Sequence, residues 1–242
     1  MELIIKETPA ELALAAADWI ATYAAEVLTR QDRFTIALSG GSTPERLHEL
    51  LAKAPHRDRI DWTRWHVFWG DERFVPFDDD KNNARMAYDT LLDHVPVPPG
   101  QIHLMRTDIA PDQAMTDYAD TLHRYFDGRD TTFDLVLLGL GDDGHTLSLF
   151  PGTAVVHETD AWTASYFLEQ QAMYRLTLTA PVVNRAAAVA FLVVGEKKAE
   201  PLRHVLHGPY QPDTYPAQVI RPTGGRLLWF VDEQAAGELP NG

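Results

Sequence analysis

The stretch FDLVLLGLGDDGHTLSLFPGT, residues 133–153, starts as a strongly apolar run and continues into glycines in the order G-x-G-x-x-G. A short apolar run that ends at a glycine-rich turn is typical of a buried strand in a parallel sheet. A glycine turn after such a strand is also the sequence context of a dinucleotide-binding site. The segment therefore raises two questions, which fold contains it and which ligand it meets.

The rest of the chain alternates apolar runs with amphipathic helical patterns, which predicts an α/β fold with a mostly parallel sheet and helices on both faces. The predicted strands are residues 3–7, 34–40, 65–72, 102–106, 133–139, 175–179, 189–195 and 227–232, and the predicted helices are 9–30, 42–54, 83–92, 111–126 and 197–207. Such sheets bind ligands at the carboxyl ends of their strands. Because the sequence has no internal repeat and no obvious linker, residues 1–242 are expected to form one domain.

The composition is that of an acidic globular protein, with 21 Lys and Arg against 35 Asp and Glu and a formal net charge of −14. This charge disfavours nucleic acid and anionic membranes as partners, so we expect neither. The absence of cysteine excludes disulfides and thiolate chemistry and is compatible with a reducing cytoplasm, the expected location. We expect no membrane span, since no apolar stretch approaches ~18 residues, and no secretory signal, since the N-terminus lacks a basic patch before an apolar segment.

Two observations disfavour a dinucleotide at the glycine turn. Asp142 and Asp143 lie inside the turn, where they would meet a pyrophosphate, and Asp160, the acid at about the required spacing, lies outside any predicted strand. We favour a turn whose glycines present Asp143 and His145 on the same side. An acid can hold an imidazole in one tautomer while its other nitrogen accepts a proton from water. In the plainer alternative, His145 only caps the turn that follows.

A second glycine-rich strand end is SGGSTPERLHELL, residues 39–51. Gly40 and Gly41 allow close approach of the backbone, and Ser42 is expected to cap the helix with Glu45 completing a capping box. Amides at a helix start and the positive end of the helix dipole favour an anion. We therefore favour an anion site here over a capped helix without a ligand.

Cations lie near further strand ends. Arg73 follows the strand 65–72, and Lys197 and Lys198 start a helix, where lysines oppose the helix dipole. Arg175 opens its strand and is a weaker candidate. Pairing of Arg73 with neighbouring acids and a solvated lysine face are the plainer alternatives. Together with the glycine-rich helix start, these cations indicate a phosphorylated ligand.

At these residues the chain resembles the 6-phosphogluconolactonase family. The matching segments are SGGSTP (39–44), WGDERFVP (69–76), NNARMAYDTLL (82–92), GLGDDGHTLSLFPGT (139–153), RLTLT (175–179) and G-x-x-K-A (195–199). The resemblance implies hydrolysis of 6-phosphogluconolactone to 6-phosphogluconate in the oxidative pentose phosphate pathway, with no metal or cofactor. It also implies a Rossmann-like fold similar to that of glucosamine-6-phosphate deaminase and ribose-5-phosphate isomerase.

The resemblance also implies roles for individual residues. His145 matches the proposed general base, with Asp143 beside it, and Arg73 and Lys198 match cations at the substrate phosphate, where Arg175 is a further candidate. The matching glycine loop is Gly41, Ser42 and Thr43. The expected partner is a small phosphorylated sugar lactone, and the expected state is a monomer or a weak homodimer.

The expected mechanism uses His145 to take a proton from water as the water attacks the lactone carbonyl, with backbone amides of residues 139–145 stabilising the oxyanion. Two departures from the family pattern, Asn82 for serine and Leu147 for alanine, remove no group that this mechanism needs.

Two other functions are weighed against this one. An amino-sugar-phosphate deaminase of the same fold carries a catalytic glutamate where this chain has Phe150, which cannot relay a proton. A non-catalytic sugar-phosphate sensor would need a DNA-binding segment or a partner surface, and the first 35 residues are too short and too acidic for a helix-turn-helix with a basic face.

Overall fold

The structure, a computed structural model, describes residues 1–240 and is organised around two sheets. The strands in chain order are β1 (Glu2–Lys6), β2 (Phe34–Leu38), β3 (Trp65–Trp69), β4 (Asp71–Arg73), β5 (Leu135–Gly139), β6 (Thr163–Leu168), β7 (Met173–Leu178), β8 (Ala188–Val193) and β9 (Arg226–Asp232). The helices are α1 (Pro9–Leu28), α2 (Ser42–Leu51), α3 (His56–Arg59), α4 (Asn83–Thr90), α5 (Pro111–Phe126), α6 (Ala180–Val183) and α7 (Ala199–His207). Within the described residues, no helix is both long and apolar enough to cross a membrane.

The larger sheet is parallel throughout, in the order β1-β9-β8-β5-β2-β3. From β2 the chain proceeds outward to β3, whereas from β5 it proceeds in the other direction to β8 and β9. The order therefore reverses between β2 and β5, and ligands of such sheets bind at this switch point.

Side chains alternate between the two faces of this sheet, because successive residues of a strand point in opposite directions. Ile36 and Leu137 pack with α1, α2 and α4 on one face. Ala37, Val136 and Leu138 pack with α5, α6 and α7 on the other. The prediction of an α/β fold with helices on both faces of a mostly parallel sheet is confirmed.

A smaller antiparallel sheet, in the order β4-β7-β6, lies beside the first. The prediction of one continuous strand over 65–72 is wrong, because the chain changes sheets at Gly70. The Gly70 amide donates to the Leu38 carbonyl (2.8 Å), while the Gly70 carbonyl accepts from the Leu178 amide (2.8 Å). The strand predicted at 175–179 is β7 of this smaller sheet, and its partner β6 was not predicted.

The strand predicted at 102–106 is not present as a strand. Ile102 forms a single parallel bridge with Val67, and the His103 amide donates to the Val67 carbonyl (2.8 Å). The segment then leaves the sheet edge, with the His103 ring hydrogen-bonded to the Tyr125 hydroxyl on α5 (2.8 Å). The apolar run at 102–106 therefore pairs with β3 at one residue only and does not form a strand.

Asp134 joins the central strands β2 and β5 where they begin. Its carboxylate accepts hydrogen bonds from the amide and the hydroxyl of Thr35, both at 2.7 Å, and from the Gln31 side chain at 2.7 Å. Thr35 is buried, so its amide and hydroxyl have no water to replace the carboxylate.

Replacing Asp134 with alanine is expected to lower the free energy of unfolding by about 2–4 kcal/mol, because buried donors lose their charged acceptor. Urea unfolding followed by circular dichroism measures this loss. Asp130→Ala removes an exposed acid nearby and serves as the control. Equal unfolding midpoints for the two variants would show that Asp134 does not hold β2 to β5.

Candidate active site

A cavity of about 330 Å³ opens at the carboxyl ends of β2, β5 and β8, next to the switch point. The predicted site residues that line it are Gly41, Ser42, Thr43, Arg73, His145, Arg175 and Lys198. Lys198 lines the cavity, whereas Lys197 is not among its lining residues. The topology has thus brought together residues from five separate segments, namely the chain after β2, β5 and β8 and the strands β4 and β7.

The glycine turn after β5 holds His145 against Asp143. The Gly141 amide donates to the His145 carbonyl (2.8 Å), and the Gly144 amide donates to the Gly141 carbonyl (3.0 Å). Gly144 has φ +77°, a conformation that favours glycine. In this turn Asp143 Oδ1 lies 2.5 Å from His145 Nδ1 and accepts from the His145 amide at 3.1 Å.

The charge of Asp143 fixes the tautomer of the imidazole. Burial opposes ionisation of this carboxyl, but the hydrogen bond and the charge of His145 outweigh burial and lower the pKa of Asp143 below its ordinary value. The carboxylate therefore accepts the Nδ1 proton of His145. This leaves Nε2 as the nitrogen available to accept a proton.

Two neighbours determine the position of the His145 ring. The ring stacks on Phe150, with centroids 4.1 Å apart and planes inclined by 21°. A Cβ on Gly141 would lie 2.0 Å from His145 Nδ1, so only glycine leaves room for the imidazole in this position. The glycine at 141 therefore accommodates a histidine rather than a pyrophosphate.

The start of α2 differs from the prediction. Gly41, at φ +103°, is the N-cap residue, and none of the described side chains caps this helix start, so the capping box expected from Ser42 and Glu45 is absent. Ser42 is already the first helical residue, and its hydroxyl is one position too late to act as the cap. Ser42 and Thr43 thus begin a helix whose first amides have no side-chain acceptor, as an anion site requires.

Arg73 and Lys198 supply positive charge to the cavity. Arg73 Nη1 donates to the Lys81 carbonyl (3.0 Å), and no carboxylate among residues 1–240 forms an ion pair with Arg73. The expected alternative, pairing of its guanidinium with a neighbouring acid, is therefore not observed. Lys198 forms an ion pair with Asp142 of the glycine turn and is half-buried.

Arg175 lies deeper than the sequence indicated and is 3% exposed. Its Nη2 donates to Asp71 (2.9 Å), its Nε to the Ser148 hydroxyl (2.8 Å) and its Nη1 to Gln171 (3.1 Å). All three nitrogens are thus engaged within the protein. Asp71 and Ser148 were not predicted as its partners, although both lie in the segments that carry the family resemblance.

The turn also limits where an oxyanion could be bound. The amides of Gly141, Gly144 and His145 already donate within the turn, so three of the donors expected from residues 139–145 are not available. Residues 1–240 contain no cluster of three or more His, Cys, Asp or Glu side chains that is arranged to hold a metal ion.

These features define an α/β protein whose pocket places a histidine, held from behind by an aspartate, beside an uncapped helix start and two cations. The family profile described as "Glucosamine-6-phosphate isomerases/6-phosphogluconolactonase" matches residues 7–229, and the chain belongs to this family.

Individual relatives are similar over nearly their whole length. A 6-phosphogluconolactonase of Synechocystis is 41% identical over 241 residues, which cover 98% of this chain and 96% of the relative. One from Nostoc is 38% identical, covering 99% of each chain. The solved 6-phosphogluconolactonase of Trypanosoma brucei superposes with a TM-score of 0.88 at 26% identity, covering 99% of this chain and 98% of that one. A monomeric glucosamine-6-phosphate deaminase, at 20% identity and a TM-score of 0.84, covering 98% of this chain and 100% of that one, shares the fold.

Replacing Gly141 with alanine is expected to displace the His145 ring, because the new methyl group would overlap Nδ1. The Nδ1–H signal of His145 in proton NMR should then be lost, and the protein should be destabilised by about 1–3 kcal/mol, as for other overpacked sites. Gly100→Ala is the control, since no atom lies within 4 Å of its added methyl group. An unchanged Nδ1–H signal in Gly141→Ala would contradict the geometry described for this turn.

Proposed function

We propose that this protein is a 6-phosphogluconolactonase, which hydrolyses 6-phospho-D-glucono-1,5-lactone to 6-phospho-D-gluconate in the oxidative pentose phosphate pathway. Relatives of this name match the chain over almost its full length. The observation that carries the proposal is the placement of His145, whose Nδ1 contacts Asp143, in the same pocket as Arg73 and Lys198. Asp143 itself is not among the residues that line the pocket. A lactone with a distant phosphate needs these two sites together.

In the proposed mechanism, His145 Nε2 removes a proton from water as the water oxygen forms a bond to the lactone carbonyl carbon. Collapse of the tetrahedral intermediate breaks the bond between this carbon and the ring oxygen, and His145 returns the proton to that oxygen. Asp143 holds Nδ1–H and stabilises the imidazolium between the two transfers, as the acid does in other acid–histidine pairs. A positioned base of this kind contributes about 10²–10⁴-fold.

The phosphate is proposed to bind at the start of α2, at Gly41, Ser42 and Thr43, with Arg73 and Lys198 as its cations. By holding the phosphate, these groups would fix the position of the lactone carbonyl relative to His145. Lys198 forms an ion pair with Asp142, so the phosphate would replace that carboxylate or share Lys198 with it.

Arg175 is assigned a different part in this proposal from the one that the sequence indicated. Because its nitrogens bind Asp71, Ser148 and Gln171, we place it beneath the site rather than on the phosphate. Its guanidinium lies 5.5 Å from the centre of the Phe150 ring, which in turn carries the His145 ring. Arg175 thereby supports the imidazole through one aromatic contact.

The deaminase alternative is disfavoured at Phe150. This residue, at the position of the deaminase glutamate, presents an aromatic face to His145 and has no group that moves a proton. Ammonia release from glucosamine 6-phosphate is the assay that separates the two activities, and we expect none.

The remaining proposals concern partners and location. A net charge of −14 supports a protein that binds neither nucleic acid nor membranes, and the lack of cysteine supports the cytoplasm. We propose that residues 1–242 form a single domain that acts as a monomer or a weak homodimer. We also propose that the reaction uses no metal or cofactor, because water and His145 suffice for the mechanism.

His145→Ala is expected to lower kcat on freshly generated 6-phosphogluconolactone by about 10²–10⁴-fold, because the base is removed.

Arg73→Ala is expected mainly to raise KM, by about 10- to 100-fold, which corresponds to one hydrogen bond to a charged group. Initial rates corrected for spontaneous ring opening provide both parameters.

His123→Ala is the matched control for these rates, since His123 forms an Nδ1–Oδ1 contact with Asp127 (2.8 Å) on α5, outside the pocket. Near-normal turnover by a folded His145→Ala variant would overturn the mechanism. Absence of lactonase activity in the unaltered protein would overturn the assignment itself.

A further inference from the structure

Glu72 is a buried acid of the W-G-D-E-R segment that the proposed mechanism does not use. It is 1% exposed and lies on β4, directly before Arg73. An acid so fully buried needs partners that compensate the loss of water. Its partners are backbone amides.

The carboxylate of Glu72 connects two separate elements. Oε1 accepts hydrogen bonds from the amides of Arg73 (2.8 Å) and Asn83 (2.7 Å), and Oε2 accepts from the amide of Ala84 (2.8 Å). Asn83 and Ala84 are the first residues of α4. One side chain therefore fixes the backbone at Arg73 relative to the start of α4.

The same connection continues to the loop before α2. The side-chain amide of Asn83 donates to the Asp71 carbonyl at 2.9 Å. A Cβ on Gly40 would lie 1.8 Å from Asn83 Oδ1, so the Gly40 backbone lies directly against this side chain. Gly40 precedes Gly41, the N-cap residue of α2. Through Asn83, Glu72 thus relates Arg73 to the helix start that is proposed to receive the phosphate.

The shifted pKa of Glu72 is a second indication that this carboxyl group has a function in the site. The pKa of Glu72 is raised to about 7, chiefly because burial disfavours the charged form; the three amide donors oppose this rise and the neighbouring charge of Asp71 adds to it. Burying an ionisable carboxyl costs free energy, which the three amide donors offset. Strongly shifted groups of this kind concentrate at functional sites.

We propose that Glu72 is a positioning residue for the phosphate-binding side of the pocket, which sets the distance between Arg73 and the loop of Gly40 and Gly41. This inference rests on the proposed function, because it takes Arg73 and the α2 start as the phosphate site. Glu72 itself is buried and contacts no substrate.

The test compares Glu72→Gln with Asn82→Ala. Asn82 also caps α4, through its side-chain contact with the Arg85 amide at 2.9 Å, but it makes no hydrogen bond to Arg73. Both changes weaken the start of α4, but only Glu72→Gln alters the group that joins this start to the Arg73 backbone, because an amide nitrogen replaces one of the two acceptor oxygens. Thermal unfolding shows whether the two variants are comparably destabilised.

We expect Glu72→Gln to raise KM for 6-phosphogluconolactone by about 10-fold or more, the scale of effect produced by misplaced binding groups. Its kcat should change by less than about 2-fold, and its kcat/KM on unphosphorylated glucono-1,5-lactone should be unchanged. Asn82→Ala should retain the KM of the unaltered protein. In an Arg73→Ala background, Glu72→Gln should have little further effect on KM.

Equal KM increases in Glu72→Gln and Asn82→Ala would overturn the proposal, because Glu72 would then act only as a cap of α4. Equal losses of kcat/KM by Glu72→Gln on the phosphorylated and the unphosphorylated lactone would overturn it as well. An unchanged KM in a folded Glu72→Gln would do the same. If Glu72→Gln does not fold, Glu72→Asp provides the test, because its shorter side chain keeps the charge but cannot span from Arg73 to Ala84.

Failure of the proposed function is distinguishable from failure of this inference. If the unaltered protein does not hydrolyse the lactone, titration with inorganic phosphate still compares Glu72→Gln with the unaltered protein. Weaker phosphate binding by the variant supports the positioning role, and equal binding contradicts it.

Discussion

The pairing of β2 with β5 is the constraint on which the rest of the site depends. These strands lie side by side, with Ile36 opposite Leu135 and Ala37 opposite Val136, and the chain leaves them in opposite directions. Each strand ends in a glycine-rich loop, and parallel pairing brings both loops to one edge of the sheet. One loop begins a helix whose first amides lack a side-chain cap, and the other holds a histidine against an acid. The uncapped helix start and the histidine are thereby placed in the same cavity.

Buried polar contacts beneath the cavity keep these loops in position. The Asp71–Arg175 ion pair is almost completely buried, and Ser148 donates to the same Asp71 oxygen at 2.7 Å. Breaking a buried pair of this kind by removing one partner typically costs about 3–5 kcal/mol. The segment 69–76 thus contributes three successive residues to three different tasks, with Asp71 in the ion pair, Glu72 at α4 and Arg73 in the cavity.

The sequence predicted the parallel sheet well, because strands buried on both faces appear as apolar runs that are visible without any knowledge of their neighbours. The sequence also predicted that His145, Arg73 and Lys198 lie close together, because residues that follow parallel strands lie at the same edge of the sheet. The smaller sheet was harder to predict from the sequence, because β4 has only three residues and β6 is mostly half-buried, so neither forms a long apolar run. Nothing in either segment indicates that its partner is β7.

Two features of the site depend on geometry that residue types alone do not specify. The capping box predicted at Ser42 and Glu45 fails because Gly41, at positive φ, starts the helix one residue earlier than a serine cap requires. Two of the partners of Arg175, Asp71 and Ser148, lie 104 and 27 residues away along the chain, and only the tertiary structure brings them together. Local patterns indicate which residues end a strand, whereas long-range contacts determine what each of them binds.

The central claim is that one pocket binds a phosphate at one end and performs hydrolysis at the other. A crystal structure of the protein with 6-phosphogluconate bound tests it most directly. The account predicts phosphate oxygens within hydrogen-bond distance of Arg73, Lys198 and the Ser42 and Thr43 amides, and the product carboxylate beside His145 Nε2. A product bound in the reverse orientation, or outside this pocket, would contradict the account.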